Sequence, residues 1–271
     1  MRIVVCAKEV LDPDAVNSYA VAGRLEIGED GKTLTQAAIP SLMNAYDEQA
    51  IEAALRLRDA GVECQIDVVT VGQDTSGLLR HAAALGADNT AVIDAAPAAI
   101  DYHVAARLLA AYVRWSGGAD LVLCGRQASD DDQGVVPALM SELLEMPLVT
   151  IARAVELSDD SDAPAVRVTR VTPDGDEVVE AACPVIVTIS SELGTPRYPT
   201  ARAAMAARRM KPTIVSLDDL GIAADDLKPS VTLVRQYVPT IQGNCEMIAG
   251  ETPAELAGNL IERLRANQEL P

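Results

Sequence analysis

The sequence predicts an α/β fold: a doubly wound, mainly parallel sheet with a β-hairpin insertion and an extended C-terminal arm. Three observations carry the prediction. Short apolar runs alternate with amphipathic helical stretches up to residue 190, as strands buried on both faces and their crossover helices do. Within that series, Leu121 to Pro137 gives a strand, a polar loop and a helix start, the place where open α/β sheets hold ligands. After Ser191 the alternation stops, and a proline-bearing loop, a basic helix and an irregular tail follow.

Each element has its own signal. Arg2 to Ala7 is the first strand, and Lys8 to Pro13 a loop at its carboxyl end. Leu25 to Leu34 reads as a small hairpin turning at Glu29-Asp-Gly31. Asn44 is placed to cap a helix running to about Asp59, with Asp47 and Glu48 in its first turn and Ile51, Ala54, Leu55 and Leu57 inward. Capping alone would account for Asn44 and Asp47. Cys64 to Val71 is a strand ended by Gly72, and Thr75 to Leu85 a helix stopped by Gly86. Thr90 to Ile93, the helix Ile100 to Trp115, and the strand Leu121 to Cys124 follow, and a helix pattern starts near Gln133. Val149 to Val155 is a further strand, Ser158 to Asp162 an acidic turn, and Val166 to Ala181 an antiparallel hairpin with one wet face. Pro184 to Ser190 returns to a buried strand, which makes the whole Rossmann-like. Residues 1–190 are thus predicted as a nucleotide-binding domain, and 191–271 as a loop, a basic helix and an arm suited to wrapping a partner. The basic helix, Ala201 to Met210, bears Arg202, Arg208 and Arg209, with Lys211 next. A strand at Thr213 to Leu217, a segment near Val231 to Arg235 and a Gly243-Asn-Cys245 loop lead to a last helix, with Thr252, Pro253 and Glu255 forming a capping box.

Composition narrows the function. The net charge of −18 disfavours nucleic acid and anionic membranes and suits a soluble cytoplasmic protein. Five cysteines without a metal-ligand spacing read as reduced thiols of a reducing compartment. The first seven residues are a strand rather than a signal peptide, and no apolar run nears the roughly 20 residues that span a bilayer. With no Phe and one Trp, there is little to build an aromatic pocket. His81 and His103 read as surface or interhelix residues, and no nucleophile or acid–base pair is assembled, so no catalytic residue is assigned.

The loop after Leu121 to Cys124 is neither a P-loop nor a dinucleotide fingerprint. Asp130, Asp131 and Asp132 would repel phosphate if they faced it. Phosphate must therefore meet the backbone amides of Gln133 to Val136, with Asp130 or Asp132 capping the helix or accepting from a ribose hydroxyl. The alternatives are a Mg²⁺ held by the aspartates, or a capped helix with nothing bound.

Several boxes taken together resemble the electron-transfer flavoprotein β-subunit family. They are Val5-Cys-Ala-Lys-Glu-Val10, Met43-Asn-Ala-Tyr-Asp-Glu48 with Ala50, Glu52 and Ala53, Leu85-Gly-Ala-Asp88, Gly125-Arg-Gln-Ala-Ser-Asp-Asp-Asp132, and Leu193-Gly-Thr-Pro-Arg-Tyr-Pro-Thr200 with its basic sequel. The resemblance covers nearly the whole chain. It implies an adenine nucleotide α-hydrolase-like fold, a heterodimer with an FAD-bearing α subunit, and a second nucleotide in this chain: AMP in the ordinary branch, FAD in the electron-bifurcating one. It implies nucleotide contacts at Cys6, Ala7, Asn44, Ala45, Tyr46, Asp47, Val71, Gly72, Gly125, Arg126, Gln127, Ala128, Ser129, Asp130, Asp131, Asp132, Gln133, Gly134, Val135 and Val136. It also implies that Leu193, Pro196, Arg197 and Tyr198 dock an acyl-CoA-type dehydrogenase, with Leu193 an exposed anchor. Ala45 stands where the family often has Pro, and Gln133 and Val135 where bifurcating members have Thr and Gln, whereas Arg126 looks bifurcating. AMP is favoured, because it needs fewer side-chain contacts. A bifurcating subunit whose FAD takes hydride from NADH is one alternative, and a stand-alone universal-stress-type nucleotide sensor another.

Overall fold

A computed structural model describes residues 1–35, 37–96, 100–158, 163–223, 227–238 and 245–267. The chain divides into two compact units, Met1–Gln236 and Tyr237–Pro271. In the first, the strands β1 (Arg2–Cys6), β4 (Gln65–Val71), β5 (Asn89–Ile93), β6 (Leu121–Gly125), β7 (Leu148–Leu157), β8 (Ala165–Thr172), β9 (Gly175–Ala182), β10 (Val185–Ile189) and β11 (Thr213–Val215) form one sheet. Its order is β11-β5-β4-β1-β6-β10-β7-β8-β9. Pairing is parallel from β11 through β7 and antiparallel for β7–β8 and β8–β9, so the predicted hairpin insertion extends one edge. A separate antiparallel pair joins β2 (Glu9–Leu11) to β3 (Ser41–Met43).

The doubly wound α/β prediction holds. Apolar side chains alternate between the two faces of each central strand, giving one core per face. Ile3, Val5, Leu121, Leu123 and Val187 pack with Ile51 and Leu55 of α2 (Ala45–Asp59) and Leu78 and Leu79 of α3 (Ser76–Leu85). Val4, Cys6, Val122, Cys124 and Ile186 pack with Leu108 and Tyr112 of α4 (Tyr102–Trp115) and Met140 of α5 (Val136–Leu144).

Several local expectations need correction. The loop expected over Lys8 to Pro13 contains β2, and α1 (Pro13–Val21) fills a stretch for which no element is expected: Asp12 accepts from the N–H groups of Asp14 and Ala15, and Pro13 sits in the first turn. The helix buries no residue, so it leaves no apolar stripe to find. The 25–34 hairpin is reduced to one bridge, Ile27–Leu34, closed by Asp30, which accepts from Lys32 and Thr33. α5 starts at Val136 rather than Gln133. Most of the predicted acidic turn, 159–162, and positions 243 and 244 lie outside the described residues.

The unit boundary also differs from the one expected at 190. Residues 191–236 belong to the first unit, because Leu193 enters its core and β11 extends its sheet beside β5. Short α6 (Ala201–Ala207) starts at Thr200, whose hydroxyl accepts from Ala203 N. In the second unit, α7 (Pro253–Ala266) has the predicted cap, Thr252 accepting from Glu255 N, while the Glu255 carboxylate accepts from Glu251 N. Among the described residues, no helix is long and apolar enough to cross a membrane.

Candidate nucleotide site

The strand order reverses beside β1. The chain passes from β1 outward to β4 and β5, then returns to place β6 on the other side. Connections leave the carboxyl ends of β1 and β6 in opposite directions, and ligands of open α/β sheets sit at such a point.

Two side chains at the start of α2 tie those strand ends together. Asp47, 6% exposed, accepts from Lys8 N at 2.8 Å and from Gly125 N at 2.9 Å, one amide beyond each strand's apolar run. Asn44, also buried, makes no cap bond to its own helix. Its amide nitrogen donates to Gln127 O at 2.9 Å, and its oxygen accepts from Ser129 N at 3.2 Å. The capping explanation of these residues therefore fails: their polar atoms are spent on the strand ends and the loop. Burial pushes the Asp47 carboxyl up to about 6, against the lowering effect of its hydrogen bonds. Only glycine fits at position 125, where an added Cβ would lie 2.7 Å from Tyr46 Cβ and 2.9 Å from Tyr46 backbone carbon.

The loop that follows folds back on itself. Arg126 N donates to Ile189 O and Asp132 N to Ala128 O, with Asp132 left-handed at φ 52°. Gly134, at φ 62°, passes so close to Arg126 that a Cβ would stand 2.6 Å from its carbonyl oxygen. The aspartates cap nothing in α5, which begins at Val136 with no side-chain cap. Instead Lys8 Nζ pairs with Asp130 at 2.7 Å and Asp131 at 3.3 Å, Asp132 accepts from Gln127, and Asp131 accepts from Gln133 N. The feared repulsion is thus partly neutralised. Among the described residues the N–H groups of Gly134 and Val135 meet no protein acceptor, and the first turn of α5 adds only those of Val136 and Ala138, since Pro137 has no N–H and Leu139 N donates to Val135 O. The Arg126 guanidinium lies 5.7 Å over the Tyr46 ring.

The remaining predicted residues line the same edge. Cys6 and Cys124 are register partners on β1 and β6, both buried beneath the loop; a hydrogen bond that the Cys124 thiol donates to the Cys6 sulfur, together with burial, holds it well above its usual range. Ala7 N donates to Val69 O, and Gly72 N to Ile93 O, so these backbones end the sheet beside Val71. Ala45 is exposed on the first turn of α2. These donors and acceptors suit a nucleotide: free amides and Arg126 for phosphate, carboxylates for ribose hydroxyls.

The 191–198 segment departs from expectation at its centre. Leu193 is 6% exposed and packs in the core with Ile51 and Leu55; a single 3₁₀ turn, Ser191–Leu193, rolls it inward. Tyr198 is the exposed apolar group, at 87%. Pro196 is half-buried, and Arg197 is bonded to Glu52 and Asp59.

Residues 32–220 match the Electron transfer flavoprotein domain family. Similar proteins include the Caffeyl-CoA reductase-Etf complex subunit CarD of Acetobacterium woodii, 34% identical over 270 residues and covering 98% of each chain. The Electron transfer flavoprotein subunit beta of Thermoanaerobacterium thermosaccharolyticum is 33% identical over 98% of each chain. The Acryloyl-CoA reductase electron transfer subunit gamma of Anaerotignum propionicum is 31% identical over 97% of this chain and 98% of its own. The chain belongs to the electron transfer flavoprotein β-subunit family. Membership sets aside the stand-alone sensor and gives the brace at Asn44 and Asp47 its context. Sequence reasoning missed Lys8 as the partner of Asp130 and Asp131, although three adjacent aspartates facing a strand end call for a cation there. It also missed what Gln49, Glu52 and Arg56 do, since on one helix they read as an ordinary wet face.

Proposed function

We propose that this chain is the β subunit of a heterodimeric electron transfer flavoprotein and that it binds AMP at the carboxyl edge of β1 and β6. The carrying observation is the brace formed by Asn44 and Asp47, which ties the Lys8 and 125–129 backbones together through protein contacts alone. The unpaired amides at Gly134 to Val136 would take the phosphate, while Asp130 or Asp132 would accept from the ribose. FAD in the α subunit supplies the electron chemistry. This chain shapes that subunit's surroundings, and the Tyr237–Pro271 unit, with no buried residue in α7, packs on the α subunit. Electrons come from an acyl-CoA-type dehydrogenase and leave to a downstream acceptor; two relatives bear the names of CoA-thioester reductase subunits, which supports a CoA-thioester oxidoreductase as the partner without fixing the direction of electron flow. The dehydrogenase docks at 191–198 through Tyr198 and Pro196, with Leu193 shaping the segment from inside. Free cysteines and a net charge of −18 suit the cytoplasm.

A second reading places FAD in the same site, taking hydride from NADH in an electron-bifurcating complex. Arg126 favours it, since a partly exposed guanidinium at the loop start is a further cation for a second phosphate. Denaturing the purified heterodimer and quantifying released nucleotide separates the two. One FAD and one AMP per heterodimer supports the first reading, and two FAD the second. A chain that purifies alone with no bound nucleotide would sink both.

A further inference from the structure

The middle of α2 carries contacts that nucleotide binding does not use. Gln49, Glu52, Arg56 and Asp59 recur every three or four residues and so share one helix face. All four hold the 191–197 segment. Gln49 Nε2 donates to Ser191 O at 3.3 Å and Gly194 O at 3.2 Å, and Arg56 Nη1 donates to Leu193 O at 2.8 Å. Glu52 accepts from Arg197 Nε at 2.7 Å and Arg197 N at 3.2 Å, and from Arg56 Nε at 2.9 Å. Arg197 Nη2 reaches Asp59 at 2.7 Å. Glu52 is the hub: its side chain is 7% exposed and binds both arginines.

The same helix begins with the brace on the nucleotide loop. Asn44 and Asp47 stand one to two turns before Glu52 on a helix fixed along its other face by Ile51, Ala54, Leu55 and Leu57. We infer that Glu52 is the positioning residue of the docking segment, and that α2 joins that segment and the nucleotide loop into one mechanical unit. Glu52 and Arg197 fix the backbone from beneath, so that Tyr198 beside them is presented in one geometry rather than many. Preorganisation of that kind strengthens docking without adding a contact. Because the two sites share a rigid element, order imposed at one reaches the other, and such coupling is reciprocal. The inference rests on the docking reading above.

The test uses the intact heterodimer and a butyryl-CoA dehydrogenase reduced with butyryl-CoA. Glu52→Gln keeps the side chain's size and removes its charge. It should speed hydrogen exchange at the Leu193, Gly194 and Arg197 amides at least tenfold and raise KM for the dehydrogenase about fivefold, with kcat within twofold. Arg197→Lys keeps the charge but loses the two-pronged geometry; it should give an intermediate rise in KM and serves if Glu52→Gln does not assemble. Unchanged KM in both, while Tyr198→Ala raises it, overturns the role of Glu52 and leaves docking intact. Unchanged KM in all three removes the docking reading and this inference with it. For coupling, AMP added to the stripped heterodimer should slow exchange at Arg197 at least twofold along with the 125–135 amides. Slowing confined to 125–135 overturns the coupling, and slowing at neither points to failure of the AMP assignment and withdraws the coupling too.

Discussion

Asp47 and Glu52 are carboxylates five residues apart on one helix, each 6% exposed, yet their protons behave oppositely. Asp47 is pushed up to about 6 by burial, which the backbone amides of Lys8 and Gly125 only partly offset. Glu52 is as little exposed but lies less deep, and hydrogen bonds from Arg197 and Arg56 outweigh its burial and hold the carboxyl below its ordinary range. The difference lies in how deep the charge sits and in what compensates it. Amide dipoles satisfy geometry and leave the charge costly, whereas guanidinium groups repay the charge itself. One end of α2 is therefore poised to titrate, and the middle is locked. In the function proposed above, the ligand-binding loop sits at the first and the docking segment at the second.

Removing each carboxylate should break the comparison in different currencies. Glu52→Ala removes the carboxylate shared by Arg197, which keeps Asp59, and Arg56, which keeps Leu193 O; it should cost about 3 kcal/mol, the low end for a broken buried pair because both guanidinium groups reach solvent and retain a partner. In a chain of this size that lowers Tm by roughly 6–12 °C, which calorimetry would read; a fall under about 2 °C would mean the pair adds little. Asp47→Asn removes a costly charge but offers one acceptor where two amides need it. Expected is a loss of about 2 kcal/mol in nucleotide binding, close to thirtyfold in Kd, with a much smaller change in Tm. Titration calorimetry of the stripped heterodimer checks the first part, and an unchanged Kd would leave Asp47 outside the site.

The contrast also explains what could be read from sequence. Strand and helix order was legible because every central strand is an apolar run and α3, α4 and α5 carry apolar stripes. α1 was not, because it buries nothing. The start of the loop at Gly125 is legible, since strand, Gly125 and polar run are contiguous, but its end is not, because α5 begins three residues later than the helix pattern suggests. Its wiring was hidden, because the bonds from Asn44 to Gln127 and Ser129 span 83 and 85 residues and no local rule predicts them. Leu193 misled for a related reason. A Leu among Gly, Thr and Pro reads as exposed, and only the 3₁₀ turn and the bonds from Gln49 and Arg56 roll it into the core.

pH sharpens the comparison further. The Asp47 carboxyl is raised in the folded chain above its ordinary 3.8. The native state therefore binds the proton first, and this group's contribution to stability falls as pH rises from about 4 to about 6, by at most about 3 kcal/mol. Nucleotide retention should move the other way. Protonation removes one acceptor face from the brace, so the Kd of the stripped heterodimer should rise several-fold from pH 7.5 to pH 5, and Asp47→Asn should flatten that slope. Glu52, held below its ordinary 4.5, is charged throughout the range from pH 5 to pH 7.5. Its stabilisation is lost only as pH falls below about 4.5, seen as a late acid transition that Glu52→Gln abolishes.

The smallest effect expected is at Lys8, and it tests whether the loop's aspartates need their cation. Lys8 pairs with Asp130 and Asp131, but all three side chains are 39–45% exposed. Solvent and salt screen such pairs, so Lys8→Met should change nucleotide binding by no more than about fivefold. That change should be largest at low ionic strength and fade by about 0.5 M salt, where the Debye length is only a few ångströms. The backbone bonds from Lys8 N to Asp47 and from Asn44 N to Lys8 O do not depend on the side chain, so the brace survives the substitution. A loss as large as that of Asp47→Asn, or one that salt does not touch, would show that Lys8 meets the ligand directly. The aspartates would then have to find another partner once the nucleotide is bound.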